Sequence, residues 1–454
     1  MMREAVMRNI DHAYDQYLMA HEKEVVQAIS HFQDRIEKSH VKYGRFPIPT
    51  FFKPHFLTPR QEKLVKSASE TILGILNKVI DLYFREPALA SLFHFSKEVE
   101  DLMKIDHGYS QNVVIARFDS LLEGESLKFV ELNTGSPAGV SYADQLEDIL
   151  FSSEELHDFF ESHHLKREAR SEKLLNALLG TYEEFGGHEN PHIAIVDWRT
   201  VKTRPEFDAL KIFFESKGYK TEIADPRDLR YRGGKLYYDD FRIDILYRRV
   251  IFEELFEKSD EVSDMLKAYR DRSVCMVNPL RSKLAGTKAV MSLLTNPGYD
   301  HYFTEEENKM KTNHLPWTRR VVDAEKFYGG KKIYLIDFLK DEKETLVLKP
   351  SEGHNGKDVF IGNETREEDW NRTIDRALKS DWVVQEFVLI PVMTVPTVIN
   401  SRLDFLYKKI NFNAFTIDGK YAGGFSRVSD ESVINVARNG GLVTSVTVEE
   451  VHER

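Results

Sequence analysis

The feature of this sequence that most restricts its fold is a change of hydrophobic rhythm near Gln111. Upstream of it, apolar residues recur near the period of an α-helix, at Leu64, Ala68, Ile72, Leu76, Val79 and Tyr83. Prolines between Pro47 and Pro59 interrupt that pattern, and downstream of Gln111 the apolar runs become short and rich in β-branched residues. This change of period predicts an α/β (α+β) protein with a helical N-terminal region at residues 1–110.

The charge balance narrows the class of partner. Among 454 residues there are 63 Lys and Arg against 74 Asp and Glu, a net charge of −11, so no basic field attracts nucleic acid or an anionic membrane. We therefore expect small-molecule partners. The longest uncharged stretch, residues 387–401, contains two prolines and is shorter than the roughly 20 residues of a spanning helix. With no visible secretory signal and one cysteine, Cys275, in an apolar run, we expect a cytoplasmic protein with a buried, inert thiol.

Short β-rich runs follow the helical region. Those at residues 113–116 and 128–132 flank a turn-like segment and predict a hairpin. A helical stretch continues to about Glu184, and the segment 185–191, with two glycines and a proline, marks a boundary. Residues 111–189 therefore form the second predicted region.

The next region has the order of a parallel sheet. A strand, a helix and a strand at residues 192–197, 205–216 and 219–223 make a β-α-β unit. A hairpin at 229–238 and a strand at 243–247 follow. We predict a small α/β substrate domain at residues 190–278.

The last predicted region covers residues 279–454. Its apolar patterns indicate a helix at 283–294, a strand at 345–349, a helix at 366–379, a strand at 382–385 and a β-rich tail from Leu403.

Within that region the strand Leu346–Lys349 enters a loop that contains Gly353 and Gly356 and leaves by another strand. One lysine and several backbone N–H groups in this arrangement can surround a chain of phosphates. A simple β-hairpin with glycines in its turn is the alternative, and by itself this pattern favours the hairpin.

A second segment, Gln385-Glu386-Phe387-Val388, ends an apolar strand about thirty residues later. Such a strand end can offer backbone groups to the edge of an adenine base while its neighbours cover the ring. A plain buried strand explains the segment nearly as well.

The predicted hairpin places polar residues two positions apart on each strand. Arg117 and Asp119 therefore share one face, as do Glu131 and Asn133, while Val130 and Leu132 point to the other. Two carboxylates and an amide oxygen suit Mg²⁺ bound together with nucleotide phosphates. The alternative is a solvated strand face on which Arg117 pairs with a carboxylate.

Taken in order, these segments resemble the synthetase domain of bacterial glutathionylspermidine synthase. Leu284-Ala-Gly-Thr-Lys288 is in turn similar to a segment of eukaryotic glutathione synthetase. Both belong to the circularly permuted ATP-grasp ligases, and the hairpin here precedes the phosphate lysine, as that permutation requires. The resemblance implies a circularly permuted ATP-grasp fold with ATP and Mg²⁺ as its cofactors.

The resemblance also implies roles for individual residues. Mg²⁺ would be held by Asp119, Glu131, Asn133 and Glu352, and the catalytic arginines would be Arg117 and Arg427. The nucleotide would be bound by Lys288, Lys349, Gly353, Gly356, Gln385, Glu386, Phe387 and Val388, with a closing loop at Gly440 and Gly441. The sequence departs from the family at this loop, which is poorer in glycine, and Ser429 stands where a lysine is expected.

The activity implied is an ATP-dependent ligation of a small-molecule carboxylate to an amine, and by analogy the protein forms a homodimer. Two other readings stay open: a catalytically silent nucleotide- or peptide-binding protein, and a small-molecule phosphotransferase. Tyr247-Arg248-Arg249 either binds a substrate carboxylate or forms a solvated strand end. The histidines show no spacing typical of zinc ligands.

Overall fold

The computed structural model of the chain describes residues 2–353 and 356–449. Its helices, numbered in chain order, are α1 (Met2–Ala20), α2 (Glu22–Lys38), α3 (Pro59–Arg85), α4 (Pro87–Ala90), α5 (Lys97–Met103), α6 (Val140–Phe151), α7 (His157–His163), α8 (Arg170–Glu184), α9 (Arg204–Ser216), α10 (Phe252–Glu257), α11 (Ser263–Arg270), α12 (Lys283–Gly286), α13 (Lys288–Leu294), α14 (Glu305–His314), α15 (Leu335–Asp341) and α16 (Glu367–Ala377). His354 and Asn355 of the predicted phosphate loop lie outside the described residues, as do Met1 and residues 450–454 of the first and last predicted regions.

The strands are numbered in the same way. They are β1 (Lys42–Tyr43), β2 (Phe46–Pro47), β3 (His55–Leu57), β4 (Ile115–Glu123), β5 (Ser126–Asn133), β6 (Leu165–Lys166), β7 (Ile193–Val196), β8 (Thr221–Ala224), β9 (Leu229–Arg232), β10 (Lys235–Tyr238), β11 (Phe241–Ile243), β12 (Ile245–Arg248), β13 (Cys275–Val277), β14 (Thr318–Arg320), β15 (Glu325–Tyr328), β16 (Lys331–Tyr334), β17 (Leu346–Pro350), β18 (Phe360–Ile361), β19 (Trp382–Glu386), β20 (Val392–Ile399), β21 (Arg402–Ile417), β22 (Lys420–Ser429) and β23 (Gly441–Val448).

The largest sheet has eight strands and joins distant parts of the chain. Its main path runs β3-β23-β22-β21-β4-β5, with β20 paired to β21 and β6 to β23. The predicted hairpin is confirmed as β4 and β5, although β4 begins at Ile115 rather than Val113. The amides of Val113 and Val114 are held by side chains instead, since they donate to Asn77 Oδ1 at 3.1 Å and Asn278 Oδ1 at 2.9 Å.

The longest helix confirms the prediction made from its apolar period. α3 begins after Thr58, whose hydroxyl accepts the N–H of Gln61 while the Gln61 side chain accepts the N–H of Thr58. Pro59 follows at the first helical position, where its missing N–H costs nothing. The buried face of α3 packs in one core with Phe118 and Phe129 of the hairpin. The helix therefore supports the back of the strands that carry the predicted metal ligands.

A four-stranded parallel sheet, in the order β13-β12-β7-β8, follows the predicted β-α-β unit. The strand predicted at 243–247 is in fact two, β11 and β12, because β11 pairs with β10 while β12 joins the parallel sheet. Between them Asp244 donates its N–H to His192 O at 3.0 Å and accepts the His192 N–H at 3.0 Å. The division of the chain into four regions stays a prediction.

A separate antiparallel sheet, β14-β19-β17-β18, is built from the predicted strands at 345–349 and 382–385. One face is apolar: Leu346, Leu348 and Val384 pack with Trp370 of α16 in a core of their own. The other face carries Val347, Lys349 and Gln385, because side chains alternate along each strand. This alternation directs Lys349 away from that core and toward a cavity.

The prediction of one continuous helix at 283–294 is wrong. The helix breaks at Thr287, whose φ of −74° and ψ of 142° are extended, so that α12 and α13 are separate. At the break the N–H of Lys288 donates to Ser351 O at 2.9 Å, and Gly286 approaches Thr134 so closely that a Cβ there would lie 3.0 Å from the threonine hydroxyl. Tertiary contacts with β5 and β17 thus override the local helical pattern.

Among the helices in the described part of the chain, none combines the length and apolar character needed to cross a membrane.

Candidate active site

A cavity lies between the polar face of the β17–β19 sheet and the β4–β5 hairpin of the large sheet. Many of the residues predicted from the sequence line it together. They are Asp119, Glu131, Lys288, Lys349, Gly353, Gly356, Gln385, Glu386, Phe387, Val388 and Arg427. These side chains come from strands as far apart in sequence as β4 and β22, so only the tertiary fold brings them to one place.

The β4–β5 register explains why the carboxylates converge. Arg117 pairs with Asn133 and Asp119 with Glu131, so all four side chains share one face, as predicted. The next pair is Ser120 with Phe129, which leaves Val130 as an extra residue in a β-bulge. Val130 lines the cavity together with Glu131, so the prediction that it points to the opposite face is wrong.

Asp119 is held between two arginines. Its Oδ1 accepts Arg117 Nε at 2.9 Å, and its Oδ2 accepts Arg427 Nη2 at 2.7 Å. Arg427 also donates Nε to Asn411 Oδ1 at 3.3 Å, and Arg117 donates Nη1 to Ala138 O at 2.9 Å. Burial lowers the pKa of Arg427, against the opposing effect of Asp119. The two guanidinium groups share a single carboxylate, so this end of the cavity keeps a net positive charge.

Glu131 is paired with Lys288. The Lys288 ammonium lies 2.9 Å from Glu131 Oε1 and donates to Gly353 O at 3.1 Å. Burial would raise the pKa of Glu131, yet the positive charges of Lys288 and Lys349 hold it well below its usual range. The carboxylate is therefore ionised, as a metal ligand must be.

Lys349 is buried beside this pair. Its ammonium donates to Val130 O at 3.0 Å and to Gln385 Oε1 at 2.8 Å. Burial and the nearby charge of Lys288 lower its pKa to about 8, against the opposing effects of Glu131 and Asp119. An anion entering the cavity would further stabilise the charged form and raise this pKa, and a phosphate group supplies such an anion.

The segment predicted to meet adenine lines the cavity, but few of its donors remain available. Gln385 turns its side chain to Lys349, the N–H of Glu386 donates to Trp317 O at 2.8 Å, and that of Phe387 donates to Thr345 O at 2.7 Å. A base could therefore accept a hydrogen bond from the N–H of Val388. The N–H groups of Glu386 and Phe387 are already bonded within the protein. The apolar lining on this side comes from Leu121, Val347, Ile361 and Ile390.

Five predicted site residues lie outside the lining of this cavity: Arg117, Asn133, Glu352, Gly440 and Gly441. Asn133 has a buried Nδ2 with no hydrogen-bond partner among the described residues. Glu352 lies 2.7 Å from Lys283 Nζ and lines a neighbouring cavity instead. Gly440 and Gly441 lie too close to other backbone segments to carry a side chain. A Cβ on Gly440 would lie 2.7 Å from Asn435 O, and one on Gly441 would lie 2.8 Å from Pro49 O. The metal role of Glu352 and the closing role of the two glycines stay predictions.

The segment just before those glycines closes the cavity, and the sequence analysis missed it. Ser432, Val433, Ile434 and Asn435 line the cavity, as does Asn411. A Cβ on Gly356 would lie 2.6 Å from Val433 Cγ1, so the glycine allows the two loops to approach. No local pattern marks 432–435, because its role depends on that contact with a loop about 75 residues upstream.

Two alternatives from the sequence are decided by burial. Arg248 and Arg249 are buried, so the solvated strand end is wrong. Arg248 donates to Asn278 O at 3.1 Å and Val250 O at 2.7 Å, while Arg249 pairs with Glu206 at 3.4 Å. Cys275 is buried, as predicted, and burial raises its pKa.

The residues of the hairpin fit a magnesium ion bound with a nucleotide. Within residues 2–353 and 356–449, no three side chains of the types His, Cys, Asp and Glu group together as a metal site. The donor set is therefore the smaller one of Asp119, Glu131 and Asn133, all hard oxygen ligands on one face. The Asn133 Nδ2 has no partner among the described residues, so no hydrogen bond from this nitrogen prevents the amide from presenting its oxygen, the atom that Mg²⁺ takes. Such a set leaves coordination positions for phosphate oxygens.

The sequence matches a known protein family over most of its length. The family described as circularly permuted ATP-grasp type 2 matches residues 99–429, which is most of the chain. The protein therefore belongs to the circularly permuted ATP-grasp type 2 family, and the family and fold class predicted from the sequence are confirmed. No curated protein is similar to the chain at a significant level.

Solved structures extend the likeness of fold. A glutathione synthetase-like effector from Globodera pallida has 12% sequence identity and a TM-score of 0.59, over 93% of this chain and 96% of that one. A putative gamma-glutamylcysteine synthetase from Methylobacillus flagellatus has 13% identity and a TM-score of 0.43, over 86% and 89%. The first shows a likeness of fold over 93% of the chain. The second, with a TM-score below 0.5, carries no argument.

Proposed function

We propose that the protein is an ATP- and Mg²⁺-dependent ligase that joins a small-molecule carboxylate to an amine through an acyl phosphate. The observation that carries the proposal is the convergence of Lys288, Lys349, Glu131, Asp119 and Arg427 in one cavity of an ATP-grasp chain. A binding protein has no need of both phosphate lysines and metal carboxylates, so this set favours catalysis over a silent scaffold.

The two lysines would neutralise the phosphates. Phosphoryl transfer asks little covalent chemistry of a protein and depends on positioning and on compensation of charge. Lys349 and Lys288 approach the cavity from β17 and α13, on either side of the loop that contains Gly353. Lys288 contacts Gly353 O, so this lysine also fixes the start of the phosphate loop.

The metal would be held by Asp119, Glu131 and Asn133. When bound with the nucleotide, Mg²⁺ supplies further positive charge against the oxygens of the transferring phosphoryl group. The protein's own part is to keep the Glu131 carboxylate ionised, because the charges of Lys288 and Lys349 lower its pKa. Arg117 and Arg427 hold the Asp119 carboxylate in place through ion pairs.

The two arginines would act on the acyl group. The γ-phosphoryl group passes to the substrate carboxylate, and the amine then attacks the acyl carbon and displaces phosphate to form the amide. Arg427 lines the cavity. Arg117 does not line it, but both arginines are bonded to Asp119, which does. One donor to the oxyanion of such a step is typically worth about 3 kcal/mol. Closure by residues 432–435 would keep water from the acyl phosphate.

The identity of the substrates is a matter for screening. The fold relative with a TM-score of 0.59 is glutathione synthetase-like, so peptides and amino acids are suitable first carboxylates and amines. A cytoplasmic location and a homodimer remain predictions from the sequence.

The test combines ligand-induced stabilisation with product analysis. Mg-ATP at a hundredfold over its dissociation constant should stabilise the wild type by about 2.7 kcal/mol. Lys349→Ala should reduce that shift, whereas the exposed control Lys309→Ala on α14 should keep it. If the wild type folds but shows no shift, the proposal is wrong.

Product analysis then separates the reactions. A ligase releases ADP and phosphate only when both carboxylate and amine are present. A stable phosphorylated product with one substrate would identify a phosphotransferase instead, and nucleotide binding without turnover for any pair would favour a silent scaffold.

A further inference from the structure

The side chain of Gln385 is hydrogen-bonded to Lys349, the lysine predicted to bind phosphate. Gln385 lies in the middle of a cross-strand row, with Thr318 opposite it on β14 and Val347 opposite it on β17. Lys349 is two residues beyond Val347 and therefore sits diagonally across from Gln385 on the same face. All three polar side chains, Thr318, Gln385 and Lys349, are more than nine-tenths buried.

The hydrogen bonds along this row have only one consistent direction. Thr318 Oγ1 donates its single proton to Pro316 O at 2.9 Å. Its remaining contact, Gln385 Nε2 at 3.0 Å, must therefore be one in which the threonine accepts. The Gln385 amide is thereby fixed with its nitrogen toward Thr318 and its oxygen toward Lys349, where Oε1 accepts the ammonium at 2.8 Å.

The ammonium group has three protons, and two of them are fixed. One goes to Gln385 Oε1 and one to Val130 O at 3.0 Å. These two acceptors stand on different sheets, β19 and β5, so together they set the rotation of the ammonium group. The direction of the third N–H is set by this rotation. Lys349 itself lines the cavity.

We propose that Gln385 and Thr318 are positioning residues that orient Lys349 toward a nucleotide phosphate. The inference rests on the proposed nucleotide site and gives the Gln385 side chain a role at the phosphates, whereas the predicted adenine contact concerns the backbone of residues 385–388. It follows that Gln385 governs affinity for any nucleoside triphosphate equally, because it acts through the phosphate end of the ligand.

A double-mutant cycle tests this coupling. Affinity for Mg-ATP and Mg-GTP is measured by titration calorimetry on the wild type, Gln385→Met, Lys349→Met and the double variant. A hydrogen bond to a charged group corresponds to about a tenfold to hundredfold change in affinity, so Gln385→Met should lose that much for both nucleotides. In the Lys349→Met background the same substitution should cost no further affinity.

Four results would overturn the inference, two of which would assign Gln385 to the base. One is an undiminished loss from Gln385→Met when Lys349 is already absent; the other is a loss confined to ATP, since either would mean that Gln385 contacts the base. A wild type that fails to bind Mg-ATP would overturn the proposed function and this inference with it. Binding by the wild type that Gln385→Met leaves unchanged would overturn this inference alone.

A second pair of variants decides the question if Lys349→Met binds too weakly to measure or Gln385→Met does not fold. Thr318→Ser keeps the hydroxyl and should keep the affinity, whereas Thr318→Val frees the Gln385 amide and should weaken binding about tenfold. Thr373→Val is the matched control, because Thr373 is a buried threonine of α16 whose hydroxyl donates to Asp369 O at 2.8 Å, away from the cavity. Equal affinities of the serine and valine variants at Thr318 would contradict the positioning role.

Discussion

The burial of Lys349 makes the protein's stability and its nucleotide affinity respond to alkaline pH in opposite directions. In the unfolded chain this lysine titrates near 10.5, whereas in the folded protein burial and the charge of Lys288 lower its pKa to about 8. Between those two values the unfolded chain binds a proton that the folded protein has released. The free energy of unfolding therefore rises with pH across this window, and the gain is lost again as pH falls through 8.

The size of the effect follows from the shift. Each pKa unit corresponds to about 1.4 kcal/mol, so a shift from 10.5 to about 8 adds about 3 kcal/mol of stability by pH 10.5. Phosphate binding requires the charged ammonium, so affinity for Mg-ATP should instead fall by up to about tenfold per pH unit above 8.

The assay is urea unfolding of the wild type and Lys349→Met at pH 7.5, 9 and 10.5 without nucleotide. Titrations of all other groups are common to both proteins, so the difference between their unfolding free energies isolates Lys349. That difference should grow by about 3 kcal/mol in favour of the wild type. For Mg-ATP, Lys349→Arg is the control, because its guanidinium stays charged and should remove the pH dependence above 8. A stability difference that stays constant with pH would refute the reasoning.

Three further substitutions test the rest of the site. Arg117→Ala should cut turnover strongly while leaving the dissociation constant for ATP nearly intact, and equal losses in both would contradict its role beside the acyl group. Glu131→Gln should weaken the Mg²⁺ dependence of turnover, and an unchanged Mg²⁺ titration would contradict the metal assignment. Asp119→Asn leaves the half-buried Arg117 and the buried Arg427 without their shared counter-charge and should lower the unfolding free energy by about 3–5 kcal/mol in denaturant. The exposed ion pair of Asp228 is the control, since Asp228→Asn should change stability by less than about 1 kcal/mol.

Much of the site was predictable because its parts are local. The positions of Arg117 and Asp119 two residues apart follow from the period of a strand, and so does the pair Glu131 and Asn133. Lys349 follows from a strand that ends at a glycine-containing loop. These patterns need no knowledge of the tertiary fold, and the order of the segments was enough to indicate the family.

The features that the sequence did not predict depend on contacts between residues that are far apart in the chain. Val130 joins the cavity because β5 has one residue more than β4 at the bulge, a mismatch that no period shows. The break at Thr287 follows from contacts with Ser351 and Thr134, which are distant in sequence. The contact between the Gln385 side chain and Lys349 was likewise not predictable, because Thr318 and Lys349 belong to strands whose pairing with β19 the sequence does not specify.

The parallel pairing of β3 with β23 has a consequence for how the protein folds during synthesis. His55 and Ser445 are neighbours in the sheet although about 390 positions separate them along the chain. The hairpin that holds Asp119 and Glu131 belongs to the same sheet, beside strand β21. The sheet therefore cannot be completed until β21 to β23 have left the ribosome. Until then, the strands made earlier keep unpaired edges. We expect newly made protein to acquire its nucleotide site late and to depend on chaperones until then.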